Sequence, residues 1–498
     1  MKNSQDRVAA ARPKRERPMR LWTVALGVTV SMLATAAYAQ DVDLSKWSPD
    51  YIRSIAGTET VDTAAECSKV VPLDYKGKVS VWWTGPNDAS PDLSRKVHAD
   101  FWAAFKATYP NIQLDYQNID YNQLLDKLRT ATLGNAAPMV VRLQILGSVE
   151  FASKGYFMPL KPEDVGYKTS DFWPGAMKSV MYDGVSYGIP TNNETMALIW
   201  NADLFKQAGL DPEHPPATWD DVITYSKQIH DKLGIPGYGL VAKQNAGNTP
   251  FRFMPQLWAY GGGALDESSD KPTYKSVEIN NEGAKAALQA IYDMYVRDKS
   301  APVSALTNTQ NENQNPFIAG KLGMMIAHPA EYAKMVDLAA KATGADKAVA
   351  DKVVQNMRYG LIPKGPARRA VVFGGSNIHI VKNDYVDGGL DEKAAKALVC
   401  FWTGPEWSTK LAWVDSNPGN LRGFKTRWMK ERLDTIKFLD VTTSMLPNGI
   451  PFPVVPESTE IMNNIVPDMM QNVLTQKMSV SEAADDAAAK VQDLMAGK

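Results

Sequence analysis

At 498 residues the chain is too long for one ordinary domain, and its 44% hydrophobic and 22% charged content is that of a globular protein. The formal charge of −1 is unevenly spread: residues 1–39 carry +5 and the remainder −6. A mildly acidic body without a basic stripe argues against nucleic acid as a partner.

The basic start (Lys2, Arg7, Arg12, Lys14, Arg15, Arg17, Arg20) leads into LWTVALGVTVSMLATAA, residues 21–37, which is uncharged and ends at Ala37-Tyr38-Ala39. A basic n-region, an apolar h-region and an A-x-A site predict a secretory signal peptide cleaved after Ala39. The rival is an uncleaved anchor, since the run is nearly long enough to span a bilayer. Small residues crowd the end where an anchor would stay apolar, which favours cleavage and an exported, periplasmic protein. Cys67 and Cys400 are the cysteines of the chain. Export permits a disulfide between them, and two buried free thiols are the alternative.

Residues 40–77 form a mixed, turn-rich lead-in. KVSVWW (78–83) then reads as a strand, KVHADFWAAFKATYP as a helix stopped by Pro110, and NIQLDYQNI as a strand. YNQLLDKLRTATLG reads as a helix ending at Gly134, and PMVVRLQI as a third strand. This alternation predicts a mainly parallel sheet with helices on both faces. YGIPTNNETMALIWN (187–201) places a polar step between two buried-looking strands; taken alone it fits a surface turn as well as a functional segment. Helices follow at NADLFKQAGLDP, WDDVITYSKQIHDKLG, 282–297 and 330–356. Strand character returns at YGLIPKG and AVVFGGSNIHIV, before helices at KAAKALVCFWTG and MSVSEAADDAAAKVQDLMAG. Two α/β lobes joined by crossing strands fit this order. Their facing strand ends would make a cleft with the crossing strands as floor and hinge.

No catalytic motif is evident. His98, His214, His230, His328 and His379 are not spaced with Cys or one another as metal ligands, and no cofactor or metal is expected. A carbohydrate-active hydrolase, the alternative of a different class, needs only two carboxylates facing across a sugar, and Asp88 and Glu194 are the conceivable pair. Aromatic and amide residues instead collect at strand ends: Trp83 with Asn87, then Asn192 and Asn193, then Phe251, Arg252, Trp258 and Tyr260, and finally Gly374, Gly375, Ser376 and Asn377. A sugar offers an apolar face for rings and a rim of hydroxyls for amides and carboxylates. Each tryptophan taken singly is as well explained by core packing.

The stretches VSVWWTG, FKATYPNIQLDY, YGIPTNNETMALIWNADLFKQAGLDP, LWAYGGGALDE, FIAGKLGMMIAHPAEYA, VVFGGSNIHIV and CFWTGPEWSTKLA, in this order, resemble the carbohydrate-binding extracellular solute-binding proteins of bacterial ABC transporters, the family that includes maltose-binding protein. The resemblance implies an α/β, two-lobed periplasmic-binding-protein fold with crossing hinge segments. It assigns 78–193 with 360–410 to lobe 1, 194–359 with 411–498 to lobe 2, and leaves 40–77 as an extension. It implies capture of a mono-, di- or short oligosaccharide and delivery to membrane permease subunits by a monomer. Ligand contacts would fall on Trp83, Asn87, Asp88, Gln144, Thr191, Asn192, Asn193, Glu194, Phe251, Arg252, Trp258, Tyr260 and Gly374, Gly375, Ser376 and Asn377. The sequence departs from maltose-like members at HPAEY (328–332), where Ala330 replaces a stacking Trp, and at Gln144, where an acidic residue is common. An alternative solute, a polyol or a phosphorylated glycerol compound, would need a cation such as Arg252 or Arg422.

Overall fold

Alternating β-branched and aromatic residues favour a half-buried pleated strand, and GKVSVWW forms β1 (Gly77–Trp83) in the computed structural model. The structure describes residues 47–86, 92–120, 123–244, 248–269, 272–412, 416–437 and 439–497. The expected signal peptide and its cleavage site lie outside the described residues, as do Asn87 and Asp88. Ahead of β1 the lead-in folds into α1 (Pro49–Ile55) and α2 (Thr63–Cys67). Ser48 and Asp62 cap them by accepting from the N–H groups of Tyr51 and Ala65, donors that a helix start otherwise leaves unpaired.

After β1 the chain alternates through α3 (Asp92–Thr108), β2 (Ile112–Asn118), α4 (Leu124–Leu133) and β3 (Val140–Gln144), as the sequence predicts. β1 pairs in parallel with both β2 and β3, and each parallel pairing requires a helical crossover. α5 (Ile145–Ser153) begins directly after β3, and the strand read from sequence, PMVVRLQI, ends on its first residue. Residues 146–152 are all buried, so no polar stripe announces a helix there. Next come α6 (Pro174–Lys178), the hairpin β4 (Met181–Tyr182) and β5 (Val185–Ser186), then β6 (Ile189–Glu194) and β7 (Ala197–Asn201).

The following block comprises α7 (Ala202–Gln207), α8 (Trp219–Leu233), α9 (Asn248–Ala259), α10 (Glu282–Tyr292), α11 (Gln310–Ile318), β8 (Met324–Ala327), α12 (Pro329–Lys341), α13 (Gly344–Asn356) and β9 (Met357–Gly360). The chain returns through β10 (Val371–Val372), β11 (Gly374–Ile380), α14 (Glu392–Thr403), α15 (Pro405–Leu411), β12 (Asn417–Pro418), α16 (Arg427–Thr435) and α17 (Leu439–Ser444). It ends with β13 (Gly449–Ile450), α18 (Ser458–Glu460), α19 (Val466–Leu474) and α20 (Val480–Met495).

A six-stranded sheet, in the order β12-β6-β11-β3-β1-β2, carries one lobe, and a three-stranded sheet, β8-β7-β9, the other. The stretch 189–201 therefore leaves one sheet with β6 and enters the other with β7. A second crossing runs from β9 through β10 to β11, and a third from α17 through β13. β10 and β13 pair in parallel, so these two crossings lie side by side. β12 keeps the chain with the large sheet beyond residue 411, where the sequence reading hands it to the second lobe.

Each sheet has its own core. Val79, Val81, Phe101, Phe105, Val140 and Leu398 pack on the large sheet, and Leu198, Trp200, Trp258, Ile291 and Met470 on the small one. A lesser cluster joins Ile52 of α1 to Trp173, Phe373, Phe424, Leu439 and Leu446. Cys67 and Cys400 are disulfide-bonded and fully buried, which fastens α2 to α14.

Candidate functional site

The register of three strands builds the floor between the lobes. On β11, Ser376 pairs with Gln144 of β3 on one side and Asn192 of β6 on the other. Gly374 and Gly375 lie opposite Glu194 and Asn193. Gly375 has φ +133°, and a Cβ there would collide with the Asn192 carbonyl, so this position requires glycine. From the far side, Asn417 and Pro418 pair with Asn193 and Asn192.

Arg142 on β3 ties these elements together. Its Nε donates to Thr191 Oγ1 (2.9 Å), its Nη2 to Asn192 Oδ1 (2.9 Å) and its Nη1 to the Thr84 carbonyl (3.4 Å). Asn192 Oδ1 also accepts from the Ser376 N–H (3.0 Å), while its Nδ2 donates to Ser416 Oγ (2.9 Å) and Glu194 Oε1 (3.2 Å). Asn193 Nδ2 donates to the Pro418 carbonyl (2.7 Å). Neither Arg142 nor Ser416 was among the residues expected from sequence. The lone charge inside the apolar strand PMVVRLQ was the signal for Arg142.

Several buried polar atoms on this floor have no protein partner: Thr84 Oγ1, Gln144 Oε1, Asn193 Oδ1 and Asn417 Nδ2. Leaving such an atom unpaired costs about 1–3 kcal/mol. All four lie on or directly beside the ends of β1, β3, β6 and β12 that the strand register brings together.

The second lobe contributes Phe251, at the start of α9. A Cβ at Gly374 would lie 2.7 Å from its ring, which also packs edge-on against Phe452 (4.9 Å) and near His328 (6.1 Å). Behind it, Arg252 forms a buried ion pair with Glu331. Burial pushes the Glu331 carboxyl up against the pull of Arg252. Burial, reinforced by the Arg252 charge, pushes His328 down to about 3, so its ring is neutral.

The structure thus brings together Gln144, Thr191, Asn192, Asn193, Glu194, Gly374, Gly375, Ser376 and Phe251. Other expected residues lie elsewhere. Trp83 turns into the first core, 3% exposed, against His98, Trp102 and Trp402. Asn377 is buried beneath the floor, donating to Ser148 and Ser179. The segment Phe251–Ala259 is helical despite Pro255, and residues seven apart on a helix stand about 10 Å apart along its axis. Trp258 is accordingly deep in the second core, donating to Glu267 (2.9 Å), and the Tyr260 hydroxyl reaches Asp220 (2.6 Å). Both arginines suggested for phosphate carry carboxylate partners: Arg252 is paired with Glu331, its buried Nε without a partner, and Arg422 is paired with Glu59 and Glu66. Among the described residues no group of His, Cys, Asp and Glu could hold a metal ion, and no helix is long and apolar enough to cross a membrane.

Residues 90–409 match the family model described as bacterial extracellular solute-binding protein. The chain belongs to that family. This solute-binding protein is 26% identical, over 79% of its length and 88% of the relative's, to a protein of Brucella abortus (strain 2308) assigned as a binding protein. It is 21% identical, over 87% and 93%, to one of Sinorhizobium fredii assigned as an amino-acid ABC transporter periplasmic-binding protein. Its fold matches the GacH receptor of Streptomyces glaucescens, whose structures include a complex with acarbose, with TM-score 0.67, 24% identity and coverage of 84% and 99%. It also matches UgpB of Mycobacterium tuberculosis in complex with glycerophosphocholine, with TM-score 0.67, 17% identity and coverage of 84% and 99%. The two-lobed architecture of the solute-binding protein is that of these neighbours.

Proposed function

We propose that this protein is the periplasmic substrate-binding component of an ABC transporter, that it takes up a carbohydrate of one to a few units between its lobes, and that it delivers the sugar unchanged to a membrane permease. The observation that carries the reading is the floor where Thr84, Gln144, Asn193 and Asn417 meet, whose unpaired atoms are a neutral hydroxyl and neutral amides. Hydroxyl groups both donate and accept, and they match such a mixed surface better than a carboxylate or phosphate does. Phe251 supplies an aromatic ring beside this floor. Binding would shift the balance between open and closed lobe arrangements, and the closed form would dock on the permease.

The lobes would divide at Thr195, at Phe373 and between Ser444 and Phe452. Cleavage after Ala39 would accompany export. The glycerol phosphate alternative is weakened by the engagement of Arg252 and Arg422 with carboxylates. An amino acid, as the Sinorhizobium relative's assignment suggests for that protein, needs groups for both a carboxylate and an ammonium.

A thermal-shift screen of the chain from Gln40 against sugars, polyols, glycerol phosphates and amino acids tests the reading. A solute at about a hundred times its dissociation constant adds roughly 2.7 kcal/mol. A shift with one sugar class, and that sugar recovered intact, is the expected result. A cleaved sugar would make the protein a hydrolase, and a response confined to phosphates or amino acids would overturn the carbohydrate assignment.

A further inference from the structure

The second crossing carries a turn with three cationic side chains. Between β9 and β10 the chain reads Lys364-Gly365-Pro366-Ala367-Arg368-Arg369. The Gly365 N–H closes the turn by donating to the Arg368 carbonyl (2.9 Å), and Pro366 fixes its own φ within it. Two helices seat the turn. The Lys364 carbonyl accepts from the Trp219 N–H at the start of α8 (3.0 Å). The N–H groups of Ala367 (3.0 Å) and Arg368 (3.4 Å) donate to the Ala259 carbonyl at the end of α9. A Cβ on Gly365 would lie 2.3 Å from that carbonyl oxygen, so the close seating requires glycine. The turn's backbone, not its charged side chains, therefore meets the end of α9.

Lys364, Arg368 and Arg369 line a cavity of about 470 Å³ together with Thr218, Trp219 and Asp220. Among the described residues none of the three cations forms an ion pair, whereas Arg129, Arg297, Arg358 and Arg422 each hold a carboxylate. Arg368 and Arg369 each donate one Nη1 to a carbonyl, of Ser268 and of Ile362. Burial pulls the Arg369 guanidinium below its ordinary value, and no carboxylate offsets the cost. Two carboxylates bear on the turn: Asp220, whose Oδ1 accepts from the Tyr260 hydroxyl (2.6 Å), and Glu278, which feels Arg368 from beyond ion-pair distance. The indole N–H of Trp219 is fully buried and has no protein partner. α8 runs for 15 residues and brings its N-terminal, positive end to the same cavity. Three cations, an unmatched N–H and a helix start outweigh the one carboxylate that lines the cavity, which leaves it short of negative charge.

We propose that this cavity binds a small phosphorylated molecule whose phosphate is held by Lys364, Arg368 and Arg369, at a site that shares no residue with the floor described above. A guanidinium fork matches two phosphate oxygens, and a lysine adds a mobile point charge. The volume is that of a small-molecule pocket, about 300–1,000 Å³. The site does not depend on which solute the floor takes.

Calorimetry of the chain from Gln40 with inorganic phosphate and with pyrophosphate, at an ionic strength held constant with chloride, tests the site. Saturable binding of both is expected, with no response to chloride. Lys364→Ala and Arg368→Ala should each weaken it by about tenfold, the worth of one charge-assisted bond. Both side chains are exposed, so both variants should keep the parent's circular dichroism. Phosphate affinity unchanged in both variants, or no heat beyond that of chloride, would overturn the proposal. So would binding to phosphatidylglycerol vesicles without a response to free phosphate, because the basic turn would then serve a lipid surface. The thermal response to a sugar should be the same in the parent and in Lys364→Ala/Arg368→Ala, so a failure of this site and a failure of the carbohydrate reading are told apart.

Discussion

Arg142 and Asn192 stand on strands separated by β11, yet the guanidinium Nη2 lies 2.9 Å from the amide Oδ1. The arginine reaches over the middle strand to hold the first crossing in place, and its other nitrogens hold Thr191 and the end of β1. Charge-assisted bonds of this kind are worth about 1.5–3 kcal/mol each. We expect Arg142→Met to lower solute affinity by roughly ten- to a hundredfold while the protein still folds, measured by calorimetry with the solute found in the screen. Arg142→Lys should recover little, since one ammonium cannot reproduce three bonds in a fixed fork. Full affinity in Arg142→Lys would show that charge, not geometry, is what matters here.

Arg252 is expected to behave differently. It is paired with Glu331 at 4% side-chain exposure on each partner. Arg252→Ala leaves a buried carboxyl without its counter-charge and should cost about 3–5 kcal/mol of stability, read by urea denaturation. Tyr260→Phe, which removes a hydroxyl bonded to Asp220 away from the floor, should leave affinity within about twofold of the parent. A large loss of affinity in Arg252→Ala at unchanged stability would instead return this arginine to the solute, as a phosphate ligand requires.

The first half of the fold was legible because each strand and helix carries its own period, repeated from β1 to β3. What escaped was whatever has no period or no neighbour in sequence. α5 is buried on all sides, and no period marks it in the sequence. α9 contains Pro250 and Pro255, so no helix is expected there, and Trp258 and Tyr260 are grouped with Phe251 as ligand contacts although the helix carries them away from it. The crossing at 189–201 was found from its polar step and its family likeness. Its partner Ser416 comes from 224 residues away, and no local pattern announces that contact. Trp83 looked like a stacking platform, but strand ends carry core aromatics as readily as exposed ones, and only the packing of Trp102 and Trp402 against it decides the matter.

The cysteines were open between bridge and free thiols, and the bridge closes a loop of sequence separation 333. A cross-link of that span typically contributes about 2–4 kcal/mol, chiefly by restricting the unfolded chain. Cys67→Ser/Cys400→Ser should therefore lower the urea midpoint. Both sulfurs are fully buried, so reductant should have no effect on the folded protein at moderate concentration. Identical midpoints for the parent and the double variant would mean that contacts such as Arg422 with Glu59 and Glu66 hold the lead-in by themselves.

Glu267 gives the second lobe a pH dependence of definite sign. Its carboxylate is 3% exposed and accepts from Trp258 Nε1 (2.9 Å), the Ala264 N–H (2.8 Å) and the Leu265 N–H (2.7 Å). Burial outweighs these bonds and pushes it up from 4.5 to about 7. Below the unfolded value both states are protonated and the group costs nothing. As pH rises through the window, the unfolded chain releases the proton while the folded one retains it, so stability falls and levels off above the folded value. The whole step amounts to about 3 kcal/mol. Urea midpoints between pH 4.5 and 8 should slope downward in the parent protein by this much more than in Glu267→Gln, which has no proton to exchange. Parallel curves would mean that the three donors hold the carboxylate ionised in the core, and that its burial carries no penalty that pH can reveal.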